Sequence, residues 1–210
     1  MNTSTHRHLQ VLACTGPVVF LTGLAALHAV QPDLIHTSTI SKYALGPAGW
    51  LLQAAFLAGG TGYGALAALR WGRPGARLLT GTFVGFVLMG LFRIDAVGPE
   101  QVVSVAGALH TLGFALTILL VHPAMWRVTR HLDGPMRPLR RAATVIALPL
   151  FVAGFLLPNL AGSVAFRLWV ATLLLWSICT TLVVTPRTSA APVGRTEALA
   201  VGRGKSPSPS

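Results

Sequence analysis

The sequence is short of charge. Asp, Glu, Lys and Arg together make up 10% of its 210 residues, where soluble domains carry roughly 25%. A water-facing surface on a chain of this length needs more, so an ordinary soluble domain is excluded. Acid is scarcest: Asp and Glu number 5 against 16 Lys and Arg. Cysteine is nearly absent, and Cys14 and Cys179 both fall inside apolar runs. With no Cys-x-x-Cys and no Cys/His ligand spacing, neither a disulfide framework nor a zinc site is expected. No metal or other cofactor is expected at all. The chain also lacks a His-Glu-x-x-His segment and any recognisable nucleophile motif. It has no internal repeat of the kind found in many transporters.

Apolar residues are what the chain has most of, at 53%, with a mean hydropathy of +0.66. A membrane-spanning helix needs about 20 mostly apolar residues. Six runs meet or approach that length: Leu9 to Val30, Ala48 to Leu69, Ala76 to Phe92, Val103 to Met125, Ala142 to Pro158 and Phe166 to Thr185. The third and fifth are short, and Pro149 is expected to kink the fifth. The expected fold is all-α: a polytopic transmembrane bundle of six helices over residues 9–185, preceded by a short cytoplasmic N-terminus, 1–8. The first run is longer than a signal-peptide core and Leu27-His28-Ala29 is a poor cleavage site, so it is expected to stay in the protein.

The basic residues give the orientation. Arg7, the Arg70–Arg77 connection, the Arg127–Arg141 connection and the tail after Pro186 hold thirteen Lys and Arg, and the alternate connections hold three: Lys42, Arg93 and Arg167. The positive-inside bias therefore places both termini in the cytoplasm. On a soluble chain this basic balance would suggest nucleic acid. Here it reads as topology and contact with anionic lipid heads, with membrane lipids rather than nucleic acid as partners. Residues 186–210, rich in Ser, Pro, Gly and Ala, are expected to form a disordered basic cytoplasmic tail.

Helices in lipid associate by close packing at small residues. Gly60-x-x-x-Gly64 on the second helix and Gly81-x-x-x-Gly85 on the third are expected to seat these two helices as an antiparallel hairpin. A homo-oligomer face is the other use of these four glycines.

Ionisable groups inside a bilayer are costly and call for a reason. Counted from the run ends, His110 lies roughly 10 Å deep in the outer part of the fourth helix, and Gln53 lies at a similar depth in the second. His28, Arg93, Asp95 and Arg167 sit near the outer ends of the first, third and sixth helices. The inner half shows only small hydroxyls, such as Thr144, Ser177, Thr180 and Thr181, which can bond back to their own helices. The asymmetry points to an outward polar pocket with His110 at its floor and Asp95 at its rim. The plainer reading of His110 is an interhelical hydrogen bond. The loop from Gln31 to Pro47 carries Asp33, His36, Ser41, Lys42 and Tyr43, more polar chemistry than a linker needs, and is read as a cap over the pocket. Trp50 sits at the membrane interface.

The run Ile40-Ser41-Lys42-Tyr43-Ala44-Leu45-Gly46-Pro47-Ala48-Gly49-Trp50 resembles the signature entering the second helix of the bacterial domain of unknown function 998 family. Phe92-x-x-Asp95 is similar to that family's Phe-Pro-x-Asp element, with Arg93 in place of Pro. Leu109-His110 is similar to its Leu-His pair. The resemblance spans Val11 to Val184. It implies a multi-helix membrane protein of the bacterial plasma membrane and supplies no reaction.

Two classes of function fit these residues. In the first, the outward pocket binds a lipid head group or small amphiphile, using His28, Ser41, Tyr43, Trp50, Gln53, Arg93 and Arg167. In the second, the chain is a membrane-embedded hydrolase or transferase with His110 as general base and Asp95 orienting it or helping to hold a metal, which requires the two within hydrogen-bond reach, directly or through a water. A purely structural subunit is the third alternative.

Overall fold

The computed structural model describes residues 2–36, 39–96 and 103–184. The described residues contain no strand. Six α-helices follow one another: α1 (Thr3–Val30), α2 (Gly49–Leu69), α3 (Ala76–Leu91), α4 (Val105–Arg130), α5 (Arg137–Leu156) and α6 (Asn159–Thr181). Two short 3-10 helices, η1 (Pro32–His36) and η2 (Ile40–Leu45), lie between α1 and α2. Five of the α-helices are long and apolar enough to cross a membrane, and α3 is apolar but shorter. The chain is a multi-pass membrane protein. The helical form follows from the solvent: in hydrocarbon every backbone N–H and C=O must find a partner within the protein, and a helix does this locally. The tail expected over 186–210 lies outside the described residues.

The helices run past their apolar stretches. α1 starts at Thr3, where the Asn2 side chain accepts a hydrogen bond from the Thr5 backbone N–H at 2.7 Å. α4 continues to Arg130, α5 opens at Arg137, and α6 opens at Asn159 rather than near Phe166. Hydropathy marks only the part of a helix that lipid can cover, and the backbone hydrogen-bond ladder continues beyond that part at either end. The early start of α6 matters most. It leaves only Leu157 and Pro158 between α5 and α6, and it puts Arg167 eight residues along a helix, about 12 Å from its start.

Successive helices pack side by side, α6 returns to α1, and the loosest lateral seam separates α4 from the α5–α6 pair. The four glycines singled out in the sequence serve two seams. A Cβ on Gly60 or Gly64 would press on Phe86 or Phe83 of α3, as expected of the hairpin. Gly81 and Gly85 instead face α4, where they meet Leu120, Thr117 and the Gly113 backbone. The closest approach of α1 and α2 falls at a pair the sequence reading did not single out: Gly16 lies against the Ala58 and Gly62 backbone, and Gly62 against Pro17.

This topology gives the bundle two faces. The terminal face holds the start of α1, the end of α6 and the α2–α3 and α4–α5 connections. The distal face holds η1, η2 and the α3–α4 and α5–α6 connections. Between them the core is aromatic, with Phe20, Phe56 and Phe86 in mutual edge and tilted contact.

Candidate functional site

η2 organises the distal face. Its Ile40, Ser41, Tyr43 and Ala44 are all buried. Thr39 precedes it in extended conformation and Gly46 closes it, donating its N–H to the Tyr43 carbonyl. Each of three successive groups of η2 reaches a different part of the bundle. Ser41 Oγ lies 3.0 Å from His110 Nε2 on α4. The Tyr43 hydroxyl accepts from Arg167 Nη2 on α6 at 3.4 Å. The Ala44 carbonyl accepts from the guanidinium of Arg93, beyond the end of α3, with the Nε contact at 3.1 Å.

The first polar group is His110 with Ser41. His110 is 2% exposed and Ser41 7%. His110 Nδ1 lies 2.9 Å from the Phe92 carbonyl oxygen. A carbonyl only accepts, so Nδ1 carries the proton and, in the neutral ring, Nε2 offers its lone pair to the Ser41 hydroxyl. The result is a hydroxyl donating to an imidazole that a third group holds in one tautomer.

The second group is built around Arg167. Its Nε donates to His28 Nε2 at 2.6 Å. Its Nη1 donates to the Ser163 carbonyl at 3.0 Å and to the Ser163 hydroxyl. Its Nη2 donates to the Leu34 carbonyl at 3.3 Å. The guanidinium also stands 5.8 Å from the centre of the Tyr43 ring, within range of a cation–π attraction. His28 Nδ1 lies 2.6 Å from the Leu24 carbonyl. Carbonyl on one side and guanidinium on the other leave His28 a single arrangement: proton on Nδ1, lone pair on Nε2 toward Arg167. One cation thus joins α1, η1, η2 and α6.

Asp95 does different work. Its Oδ2 accepts from the Ser104 N–H at 2.9 Å and its Oδ1 from the Ser104 hydroxyl at 2.6 Å. Ser104 in turn caps α4 by accepting from the Gly107 N–H at 3.0 Å. The carboxylate therefore sits at the positive end of the α4 dipole, where an anion is favoured. It makes no hydrogen bond to His110, whose two ring nitrogens are taken by Phe92 and Ser41. No group of three His, Cys, Asp or Glu among the described residues could hold a metal ion.

Of the other residues singled out, Trp50 is 68% exposed and faces away from both groups. Gln53 is half-buried and its side chain makes no hydrogen bond among the described residues. The structure thus brings together Ser41 with His110, and His28 and Tyr43 with Arg167. Arg93 joins them through the backbone of η2, and Trp50 and Gln53 stay apart.

Sequence reasoning missed several partners. Ser163 was hidden by the late start assigned to the sixth helix. His122 repeats the His28 pattern: Nδ1 lies 3.0 Å from the Ile118 carbonyl, and Nε2 accepts from the Trp169 indole at 3.2 Å. Below it, the Trp176 indole donates to Thr129 at 3.0 Å, and Thr129 pairs with Thr144 at 3.1 Å. These bonds cross the loose seam around α4. A Trp and a His or Thr on separate apolar runs were the only available signal, and spacing alone cannot show that such residues face each other.

Beneath η2, between α4 and α6, lies a cavity of about 20 Å³, room for a water molecule or so. Its walls include Ile40, Ser41, Phe56, Phe86, Phe114 and Phe166. No curated protein and no solved structure matches the chain. A family model described as "Protein of unknown function (DUF998)" matches residues 14–185. The match takes in α1 from Cys14 onward, the other five helices, η2 and both polar groups, and the chain belongs to the DUF998 family.

Proposed function

We propose that this protein spans the bacterial plasma membrane six times with both termini in the cytoplasm, and that its distal face is an exterior recognition site for a lipid head group or small amphiphile. The observation that carries this reading is the placement of η2, whose side chains and backbone cover an aromatic cleft while bonding to α4, α6 and the end of α3. Arg167, held by His28, Ser163 and Tyr43, supplies a cation for an anionic head group. The phenylalanine walls under Ser41 supply an apolar slot for a chain. The cleft as it stands accommodates only water, so entry requires η2 to lift or the seam beside α4 to part. Lifting η2 would break its bonds to His110, Arg167 and Arg93, so a ligand that enters has to replace them.

Native mass spectrometry of the full chain released from mild detergent tests this. The expected result is a bound mass of phospholipid size that Arg167→Gln loses while its yield in the membrane fraction is unchanged. A wild-type protein that carries no such mass, or a variant that fails to accumulate in the membrane at all, would assign Arg167 a purely structural role.

A second reading is favoured by the Ser41–His110 pair. A hydroxyl within hydrogen-bond reach of a base that a third group orients is the arrangement for nucleophilic acyl transfer. His110 Nε2 would take the Ser41 proton as Oγ adds to an ester carbonyl, then return it to the departing alcohol, leaving an acyl-serine for water to cleave. The orienting group in this reading is the Phe92 carbonyl, and Asp95 acts only on the start of α4. A fluorophosphonate probe should label Ser41 in the wild type and not in His110→Gln. No labelling of the wild type excludes this chemistry.

A further inference from the structure

The terminal face holds two arginines that the membrane reading alone does not account for. Arg70, which caps the end of α2, is 1% exposed, and Arg140, in the first turn of α5, is 0% exposed. Each guanidinium has one protein partner. Arg70 Nη2 donates to the Pro74 carbonyl at 3.2 Å, and Arg140 Nη2 donates to the Leu132 carbonyl. The Nε and Nη1 atoms of both are buried and have no hydrogen-bond partner. His6 Nε2 and Thr180 Oγ on the same face are also buried without a partner. Of the eight such atoms among the described residues, only Gln31 Nε2 lies at the other face.

Native proteins rarely leave buried polar groups this way, and a cluster of them calls for an explanation. Burying a charged group without a counter-charge costs several kcal/mol. Among the described residues the one ion pair is Arg137 with Asp133 at 2.7 Å; Asp133 acts on Arg140 only through space, and no ion pair reaches Arg70. Arg70 feels the cost directly: burial first, then the charges of Arg73 and Arg140, lower its pKa to about 10. It is still a cation at neutral pH. In each guanidinium the free Nε and Nη1 lie on different edges, so each arginine offers two separate charged donors, and a phosphate has oxygens enough to take one from each side chain. A cleft of about 390 Å³ on the α2–α3 connection includes Pro74, the residue Arg70 binds, and is lined by Arg73, Arg77 and Arg127.

We infer that the terminal face carries an oxyanion site in which Arg70 and Arg140 take the oxygens of a phosphate group, admitted past Arg73, Arg77 and Arg127. A free phosphate and the phosphate of an anionic lipid share this chemistry. Arg70 and Arg140 belong to α2 and α5, which do not follow one another in the bundle, so an anion held by both would tie the two halves together across the loose seam.

The test uses the full chain in nanodiscs of phosphatidylcholine alone and in nanodiscs containing phosphatidylglycerol. Inorganic phosphate is titrated into the first, and thermal unfolding and native mass spectrometry are read for both. A saturable rise in melting temperature with inorganic phosphate assigns a free oxyanion. No response to phosphate, with phosphatidylglycerol retained one to one, assigns a lipid phosphate. In either case Arg140→Gln should weaken binding at least tenfold, and Arg141→Gln, an exposed neighbour with the same loss of charge, less than twofold. Should Arg140→Gln not fold, Arg70→Lys, which keeps the charge and loses the planar set of donors, should weaken binding by the same order. The site is overturned if the wild type responds to neither anion, or if Arg141→Gln loses as much as Arg140→Gln.

Discussion

At the scale of single residues, the protein places each membrane histidine between a carbonyl that fixes its proton and a partner that uses its free nitrogen. His28, His110 and His122 all follow this rule, with Arg167, Ser41 and Trp169 as the second partners. The depth of His110 was legible in the sequence, because an ionisable group within an apolar run stands out, whereas His28 and Arg167 stood out only as ionisable groups near helix ends. Their partners were not legible, since a serine seven residues before an apolar run gives no sign of the helix it will touch. Arg70 and Arg140 were misjudged for a related reason: at the edge of a run, an arginine in water and one folded under the bundle look alike. Substitutions should separate the parts played at the His110 site. Ser41→Ala removes one hydrogen bond and should cost about 1 kcal/mol. His110→Ala removes a buried ring and strands both Ser41 and the Phe92 carbonyl, and should cost about 2–4 kcal/mol. Reversible unfolding in mixed micelles measures both, and equal costs would mean that His110 contributes little beyond the Ser41 bond.

At the scale of helices, glycine position decides which seams are tight. Gly85 on α3 faces the backbone of Gly113 and the hydroxyl of Thr117, neither able to retreat without moving α4. Gly64 on α2 faces the ring of Phe83, whose nearest atom would be 3.0 Å from a new Cβ and which can turn aside. Gly85→Ala should therefore destabilise by about 1–3 kcal/mol, and Gly64→Ala by clearly less. Melting temperatures in detergent compare them directly, and a larger loss for Gly64→Ala would contradict the assigned seams. The small-residue spacing revealed that both faces pack closely. It could not say that Gly81 and Gly85 pair with α4 rather than α2, because period alone does not fix the rotation of a helix about its axis. Helix bounds were similarly visible only where lipid-compatible residues end. That shifted the start of α6 by two turns and left Arg167 looking like a surface residue.

At the scale of the whole molecule, the two faces carry opposite kinds of chemistry. The distal face concentrates η2, the His110 and Arg167 groups and Asp95. The terminal face concentrates arginine, with carboxylate limited to Asp133 among the described residues. The charge asymmetry was plain in the sequence, since clusters of arginine between apolar runs need no structure to be seen. Which side of the membrane each face occupies follows from the positive-inside bias, and the proposed exterior site depends on it. Labelling with a membrane-impermeant maleimide tests this most directly, using a chain whose Cys14 and Cys179 are replaced by alanine and which carries one new cysteine. Lys42→Cys in η2 should react in intact cells, and Arg130→Cys at the end of α4 only after the cells are opened. Reaction of Arg130→Cys in intact cells, with Lys42→Cys protected, would reverse the orientation and contradict an exterior-facing site.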